Sequence, residues 1–434
     1  MAASVCAIRE EGNLTRFANN EIHQNVCQED LVFTVRGCRA GRLATTRFHG
    51  ADLTMADRAL DRLEALVKVV PPIEGFVGFA EGARGLEVSR AAPGTIATTL
   101  GDKAGRIRDV HALAKSRGTQ TYGAFVTGRM LLHVASTTGT SATLEATDAT
   151  FEVIAARGAR SGYAQASSVD ASAVDVIGAS AEAVEKAAAT RPPEKIAPGE
   201  YEVVLAPYAV EPIVDQVGYY GAGGRSHVDG VSFLLGREGA RVFADGVTLA
   251  DDGGDPDRSL PMPFDADGVP KDRAVVIDRG VFQGALHDPL SARLAKSPPC
   301  ASNRSTAGMF DFFGSPPMAT NLVVSEGSVP AHGLCRGIAR GLYVTRLWYV
   351  RMQDAPRGVS TGMTRDGTFL ISDGEIGPPV EDLRYTQPLG ELLSRVVAAS
   401  DSGKLLSPTA WFSPRVRTST FAPAMRIAGM RFTS

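Results

Sequence analysis

The first fifty residues most constrain what this chain can become. Apolar and polar side chains alternate with a period of two over residues 13–20, 21–25, 31–35 and 41–46. That period sends every second side chain to one face of a pleated strand, and short polar gaps between such runs favour direct reversals. The pattern predicts successive strands of an antiparallel sheet. A helix should come next, because Leu53, Ala56, Leu60, Leu63, Val67 and Val70 recur at steps of three and four. Asp52 stands where an N-cap is needed, and Pro71-Pro72 stops the pattern.

Further strands are expected over residues 122–127, 129–137, 141–149 and 151–156. The segment 181–190 is rich in Ala, Glu and Lys and predicts a helix capped by Ser180. Arg191-Pro-Pro-Glu-Lys-Ile-Ala-Pro-Gly199 breaks it. A chain of 434 residues exceeds what one core usually organises, so the break is read as a boundary between domains at 1–192 and 193–434.

Past the break, residues 201–205 read as a strand. In the stretch 264–293 an acidic turn precedes a β-branched strand at 274–278. A turn at Arg279-Gly280 and a second strand at 281–286 complete it. Residues 341–352 and 361–371 form the strongest strand pair, joined near Pro356 and Gly358. A last helix is expected over 388–400, with Leu389, Leu392, Val396 and Val397 on one face. The fold class is therefore α+β: an N-terminal antiparallel sheet with helices, then a β-rich C-terminal domain.

Bulk properties exclude several classes of function. A net charge of −3 gives no concentrated basic face for nucleic acid. No apolar run reaches the roughly 18 residues of a membrane span, and the first ten residues lack the pattern of a signal peptide. The cysteines, five in number and widely spaced, read as reduced thiols of a cytoplasmic protein rather than a disulfide scaffold or zinc ribbon.

Four segments carry a family resemblance. They are Gly12-Asn-Leu-Thr-Arg-Phe-Ala-Asn-Asn-Glu-Ile-His-Gln-Asn25, the hairpin stretch 264–293, residues 341–376, and the closing run 419–432. In this order they resemble the TldD/PmbA family, whose members include zinc metalloproteases and their metal-free partner subunits. The resemblance implies an α+β N-terminal domain, a β-rich C-terminal domain and a role in peptide processing.

In the protease branch, the resemblance places a His-Glu-x-x-x-His helix shortly after the strand matching residues 202–205, and a zinc-binding Cys near the C-terminus. Two imidazoles and a thiolate hold Zn²⁺, and the Glu takes a proton from the metal-bound water. Here Asp215 falls at the first His, Gln216 at the Glu and Tyr220 at the second His. Gln216 has no basic group, a phenol with a pKa of about 10 is a poor ligand at neutral pH, and one carboxylate does not hold zinc alone. No Cys comes after Cys335, and the histidines closest in sequence, His111 and His133, lie too far apart to supply the motif. The chain is therefore expected to hold no metal or cofactor of its own. The zinc would belong to a TldD-type partner subunit in a heterodimer or larger assembly acting on unfolded or extended peptides. Two other readings stay open: a peptidase with relocated machinery at His227, His287 or Cys300, and a binding or modulator protein without proteolysis.

Other motifs have plainer readings. Gly358-Val-Ser-Thr-Gly362 fits a nucleophile elbow in letters, but residues 363–371 beyond it read as turn and strand, not helix. Residues 251–257 are acidic without the ligand spacing of a calcium loop and read as a solvated turn. His227-Val-Asp229 and His287-Asp288 read as local hydrogen-bonding pairs, Gly221-Ala-Gly-Gly-Arg225 as a mobile turn, and Trp348 and Tyr349 as core or interface aromatics.

Overall fold

A computed structural model describes residues 1–296, 317–408 and 418–433. Its first sheet begins with β1 (Ala2–Ala18), β2 (Glu21–Arg39) and β3 (Arg42–His49). The predicted runs are right in type but too short. Residues 13–20 end β1, and 21–25 and 31–35 both lie within β2, because the polar steps between them stay in register as one long ladder. On β1 the side chains of Ser4, Cys6, Ile8, Glu10 and Leu14 turn inward at alternate positions, which is the period-two signal realised.

Helix α1 (Leu53–Val69) comes next, with Asp52 capping Thr54 as expected. Then come β4 (Arg84–Arg90), the short α2 (Pro93–Ala97) and α3 (Leu100–Ser116). Sequence reasoning had no place for α3. Its start is a capping box in which Thr99 and Asp102 exchange backbone and side-chain hydrogen bonds. β5 (Gln120–Ser136) and β6 (Ser141–Arg157) each absorb two of the predicted strands, and β7 (Arg160–Ser168) returns along β6. The sheet runs β3-β2-β1-β5-β6-β4, with β7 on the remaining edge of β6. Helix α4 (Val176–Ala187) starts earlier than predicted and is capped by Asp175. Ser180 lies inside it and donates to the Val176 carbonyl instead.

The second sheet is built from β8 (Gly199–Leu205) onward. Helices α5 (Pro207–Gln216) and α6 (Gly224–Val228) come first, then β9 (Leu249–Asp251), β10 (Ala274–Asp278) and β11 (Val281–Phe282). Helix α7 (Pro289–Leu294) and β12 (Asn321–Val324) lead to the long hairpin of β13 (Arg340–Asp354) and β14 (Val359–Ser372). β15 (Glu375–Pro379), β16 (Arg384–Pro388), α8 (Leu389–Leu393), β17 (Val396–Leu406) and β18 (Ser419–Phe432) complete the order. The predicted helix at 388–400 is one turn only. Val396 and Val397, β-branched and stiff at χ1, continue as β17 because β18 offers them an antiparallel partner. β8 pairs with both β13 and β18, while β14 and β16 connect those two on the other side. The strands therefore close into a ring around the largest core, which includes Val203, Leu205, Leu342, Val344, Tyr385 and Ile427.

Two seams join the sheets. Phe125 and Phe151 of the first sheet, with α3 and α4, pack against Ala206, Tyr208 and Leu406. Met262, Phe264 and Ala266 pack on Ile8, Leu132 and Leu144. The acidic turn predicted at the start of the 264–293 stretch fastens this second seam. Asp265 accepts the backbone N–H groups of Asp267 and Val269, and Arg36 reaches from β2 to Asp267 at 2.6 Å. The turn at 251–257 is not solvated throughout: Asp251 is buried and meets the Lys271 ammonium at 2.9 Å. Among the described residues no helix is long and apolar enough to cross a membrane.

Candidate functional site

Helix α5 leaves β8 at Pro207, whose missing N–H is no loss at a first helical position. Ala209, Val210, Ile213 and Val214 bury one side of the helix in the ring core. Tyr208, Glu211 and Asp215, spaced by three and four, occupy a common stripe. That stripe lies where the helix meets the first sheet, since Tyr163 of β7 packs edge-to-face on Tyr208 at 5.2 Å.

Thr420 on β18 donates to Asp215 at 2.7 Å. Glu211 has no hydrogen-bond partner among the described residues. Both side chains keep some surface open yet sit deep among protein atoms. Burial pushes the Glu211 carboxyl up to about 8, Asp215 adds to the rise, and Arg346 works against it. Burial lifts Asp215 to about 6 against the pull of the Thr420 hydroxyl. The Gln216 amide oxygen is buried without a donor among the described residues.

Facing these groups from β13 is Arg346, whose guanidinium lies 4.1 Å from the Tyr163 ring centre and 4.9 Å from that of Trp348. It is held at 2.5 Å by Asp366, which sits at φ 54° in a bulge of β14. Positive φ in a non-glycine residue is a costly conformation, more so for the bulky Tyr349 at 52°. Trp348 and Tyr349 are not core: they are 41% and 65% exposed. A cavity of about 310 Å³ opens beside this cluster, with Arg160, Lys186, Asp366, Thr368 and Asp382 among its lining.

The structure scatters the residues singled out from the sequence. Asp215 and Gln216 end α5, and Tyr220 lies in the π-helical turn Val217–Gly221 just beyond, its ring 4.7 Å from that of Tyr219. His227 and His287, distant in sequence, come together with ring centres 6.2 Å apart. Each has structural employment. A ring nitrogen of His227 lies 2.8 Å from the Gly221 carbonyl, a ring nitrogen of His287 lies 3.1 Å from the Ser291 hydroxyl, and burial lowers both pKa values. Asp229 pairs with Arg225, and Asp288 caps α7, so neither forms a dyad with its neighbouring histidine. Cys300 lies outside the described residues. Residues 221–225 are the exit of the π-turn and the start of α6 rather than a loose turn. Ser360 is buried in β14 with its hydroxyl 3.0 Å from that of Tyr385, as the hairpin reading requires. Among the described residues no three His, Cys, Asp or Glu side chains converge as a metal site would need.

Sequence reasoning missed Glu211, Tyr163 and Arg346. A carboxylate four residues before Asp215 on a helix was a readable signal; the other two come from strands remote in sequence.

A ring-closed β-rich unit carrying a strand–helix element, packed on a long-stranded antiparallel sheet, defines the architectural class. Residues 198–434 match the model described as PmbA/TldA metallopeptidase C-terminal domain. The chain belongs to the PmbA/TldD family. It is 25% identical over 202 residues to a protein of Methanothermobacter thermautotrophicus named metalloprotease, covering 46% of this chain and 42% of that one. It is 25% identical over 174 residues to a metalloprotease TldD homolog of Haemophilus influenzae, covering 40% and 35%. The matched stretch thus spans less than half of each relative. The crystal structure of TldE from Thermococcus kodakarensis superposes with a TM-score of 0.86 at 19% identity, covering 100% of this chain and 97% of that one. That likeness establishes the shared fold.

Proposed function

We propose that this chain is a non-catalytic subunit that pairs with a zinc-bearing homologue and contributes the scaffold and half of a chamber for unfolded or extended peptides. The observation that carries this reading is the donor set at the end of α5. Asp215, already bonded to Thr420, is succeeded by an amide and then a phenol. Zinc sites are built from imidazole, thiolate and carboxylate ligands with an acidic or basic proton acceptor nearby. These residues do not fit that ion, and no hydrolytic step is assigned to them. An enclosed chamber binds extended peptides through backbone hydrogen bonds to a strand edge, with little dependence on sequence.

The test is metal analysis and peptidase assay of the purified chain, alone and mixed with a homologue bearing His-Glu-x-x-x-His. The expected result is no stoichiometric zinc and no cleavage alone, with a stable complex and cleavage in the mixture. One zinc per chain together with peptidase activity of the chain alone overturns the proposal.

A further inference from the structure

We propose that the groove between the 233–244 segment, the tip of the β13–β14 hairpin and α8 is a site for a carboxylate of an extended peptide, with an apolar side chain of that peptide lying beside it. The proposal rests on the peptide-binding reading above and adds to it the chemical group that this chain selects.

The groove has a volume of about 630 Å³. Backbone hydrogen bonds tie its walls together, so its shape is set before any guest arrives. Gly239 donates to the Phe282 carbonyl at 2.8 Å, Phe282 donates back to Ala240 at 3.0 Å, and Ala244 donates to Leu393 at 3.1 Å. Leu389, at the head of α8, donates to Gly358 in the hairpin tip at 2.9 Å. Phe233, half-buried, is wedged between two glycines that the sequence marked in separate motifs. A Cβ at Gly221 would lie 2.9 Å from its ring, and a Cβ at Gly358 would lie 2.8 Å from it. Gly358 also holds a φ of 64°, which side chains disfavour. The two glycines thus fix an aromatic ring as one wall of the groove, and Pro356 and Pro388 add apolar surface. A preformed apolar cleft with a few placed polar groups is the usual form of a binding site.

Guanidinium groups dominate the charged lining. Arg237, Arg241 and Arg357 line the groove together with one carboxylate, Glu391. That carboxylate is taken up from outside, by Arg395 at 3.1 Å and Arg431 at 2.9 Å. Arg357 reaches Asp354 through two nitrogens, at 2.8 and 2.6 Å. Arg241 donates to the Arg279 carbonyl at 3.0 Å and to Asp245 at 3.4 Å. Arg237 has no ion pair among the described residues, and Glu238 beside it in the chain lies 3.9 Å from His227 instead. The segments outside the described residues contain a single acidic side chain, Asp311. The surplus charge of the groove is therefore positive and falls on Arg237. A guanidinium is a planar fork that matches a carboxylate. The last residue of a peptide carries its carboxylate and its side chain on one Cα, so a single residue can meet Arg237 and the Phe233 ring together. An Asp or Glu side chain within the peptide offers the same group, and the test separates the two sources.

The test uses the full chain and three fluorescent octapeptides of one apolar sequence, each labelled at the N-terminus. One ends in a free carboxylate, one ends in an amide, and one ends in an amide but carries a single internal Glu. Arg237 is exposed and partly screened by water. By anisotropy, the free-acid peptide should therefore bind about fivefold more tightly than the plain amide, the scale of one good surface ion pair. The Glu peptide distinguishes the two sources of the group: its recovery of affinity assigns a side-chain carboxylate, its failure the C-terminal one. Arg237→Gln should abolish the difference. Arg108→Gln, which removes the same charge from an exposed position of α3, should keep it. Equal binding of acid and amide peptides, retention of the preference by Arg237→Gln, its loss in Arg108→Gln as well, or no binding of any peptide overturns the proposal. The zinc and complex-formation measurements stand apart from all these outcomes, so a failure here leaves the subunit reading to be judged on its own.

Discussion

Tyr208 and Tyr163 touch edge to face, yet their surroundings are opposites. Tyr208 donates to Glu182 at 3.1 Å, and Glu182 also receives Lys186 at 2.8 Å and Lys404 at 2.9 Å. That cluster ties α4, α5 and β17 together with every charge answered. Burial alone would raise Glu182, but the two ammonium groups bring it below the usual carboxylate range. Across that ring contact, neither the Tyr163 hydroxyl nor Glu211 has a hydrogen bond among the described residues, and burial raises the carboxyl of Glu211 rather than lowering it. The first region joins the two sheets. The second keeps unspent polarity at a place the fold could have filled with apolar side chains, and such places are where binding sites are found.

Four substitutions would break or sharpen this contrast. The largest effect is expected of Glu182→Leu, which strands Lys186 in a buried seam; chemical denaturation should register a loss of about 3 kcal/mol, as when one member of a buried pair is removed. Next comes Glu211→Gln, with the opposite sign. A carboxyl whose folded pKa lies above its unfolded value weakens the fold as pH rises through that interval. The penalty is absent below about pH 4 and complete above about pH 8. The variant should therefore match the parent at pH 4 and exceed it by about 2 kcal/mol at pH 9, the partial solvent access of the group reducing the full linkage value. Urea melts at the two pH values check it; a variant less stable than the parent at pH 9 would contradict the reading of this cleft. Tyr208→Phe should cost about 1.5 kcal/mol through a lost bond to a charged acceptor. Tyr163→Phe should change stability by less than about 0.5 kcal/mol, because no bond is lost. Equal costs for the two tyrosines in thermal or urea unfolding would erase the distinction.

Much of this was legible in the sequence. The period-two runs gave the strands of the first sheet, and the β-branched stretch 274–278 became β10 with its turn at Arg279-Gly280. The second strand of that hairpin shrank to Val281–Phe282. The misread elements depended on tertiary partners. Leu389, Leu392, Val396 and Val397 satisfy a helical spacing, but β18 recruits the valines into a ladder. Ser180 resembles a cap until Asp175 takes the role one turn earlier. Asp215, Gln216 and Tyr220 were singled out by counting from one strand, and they lie at the end of α5 and in the turn just beyond it. The pairing of Glu211 with Tyr163 was not, because it exists only once β7 and α5 have been brought together by the packing of separate sheets.

The ring of strands has a consequence for how this protein is made. β18 lies against β8, β12, β16 and β17, so the ladder begun at Gly199 has its partner more than two hundred residues downstream, at Phe432. During synthesis, β8 can pair with β13 on one side, but its other edge must wait until β18 emerges. Such long-range closure is slow, and it leaves the newborn chain exposed to wrong strand pairing for as long as the wait lasts. Closure of the second sheet therefore has to follow the synthesis of β18, and chaperones that shield open strand edges should be needed most during that interval.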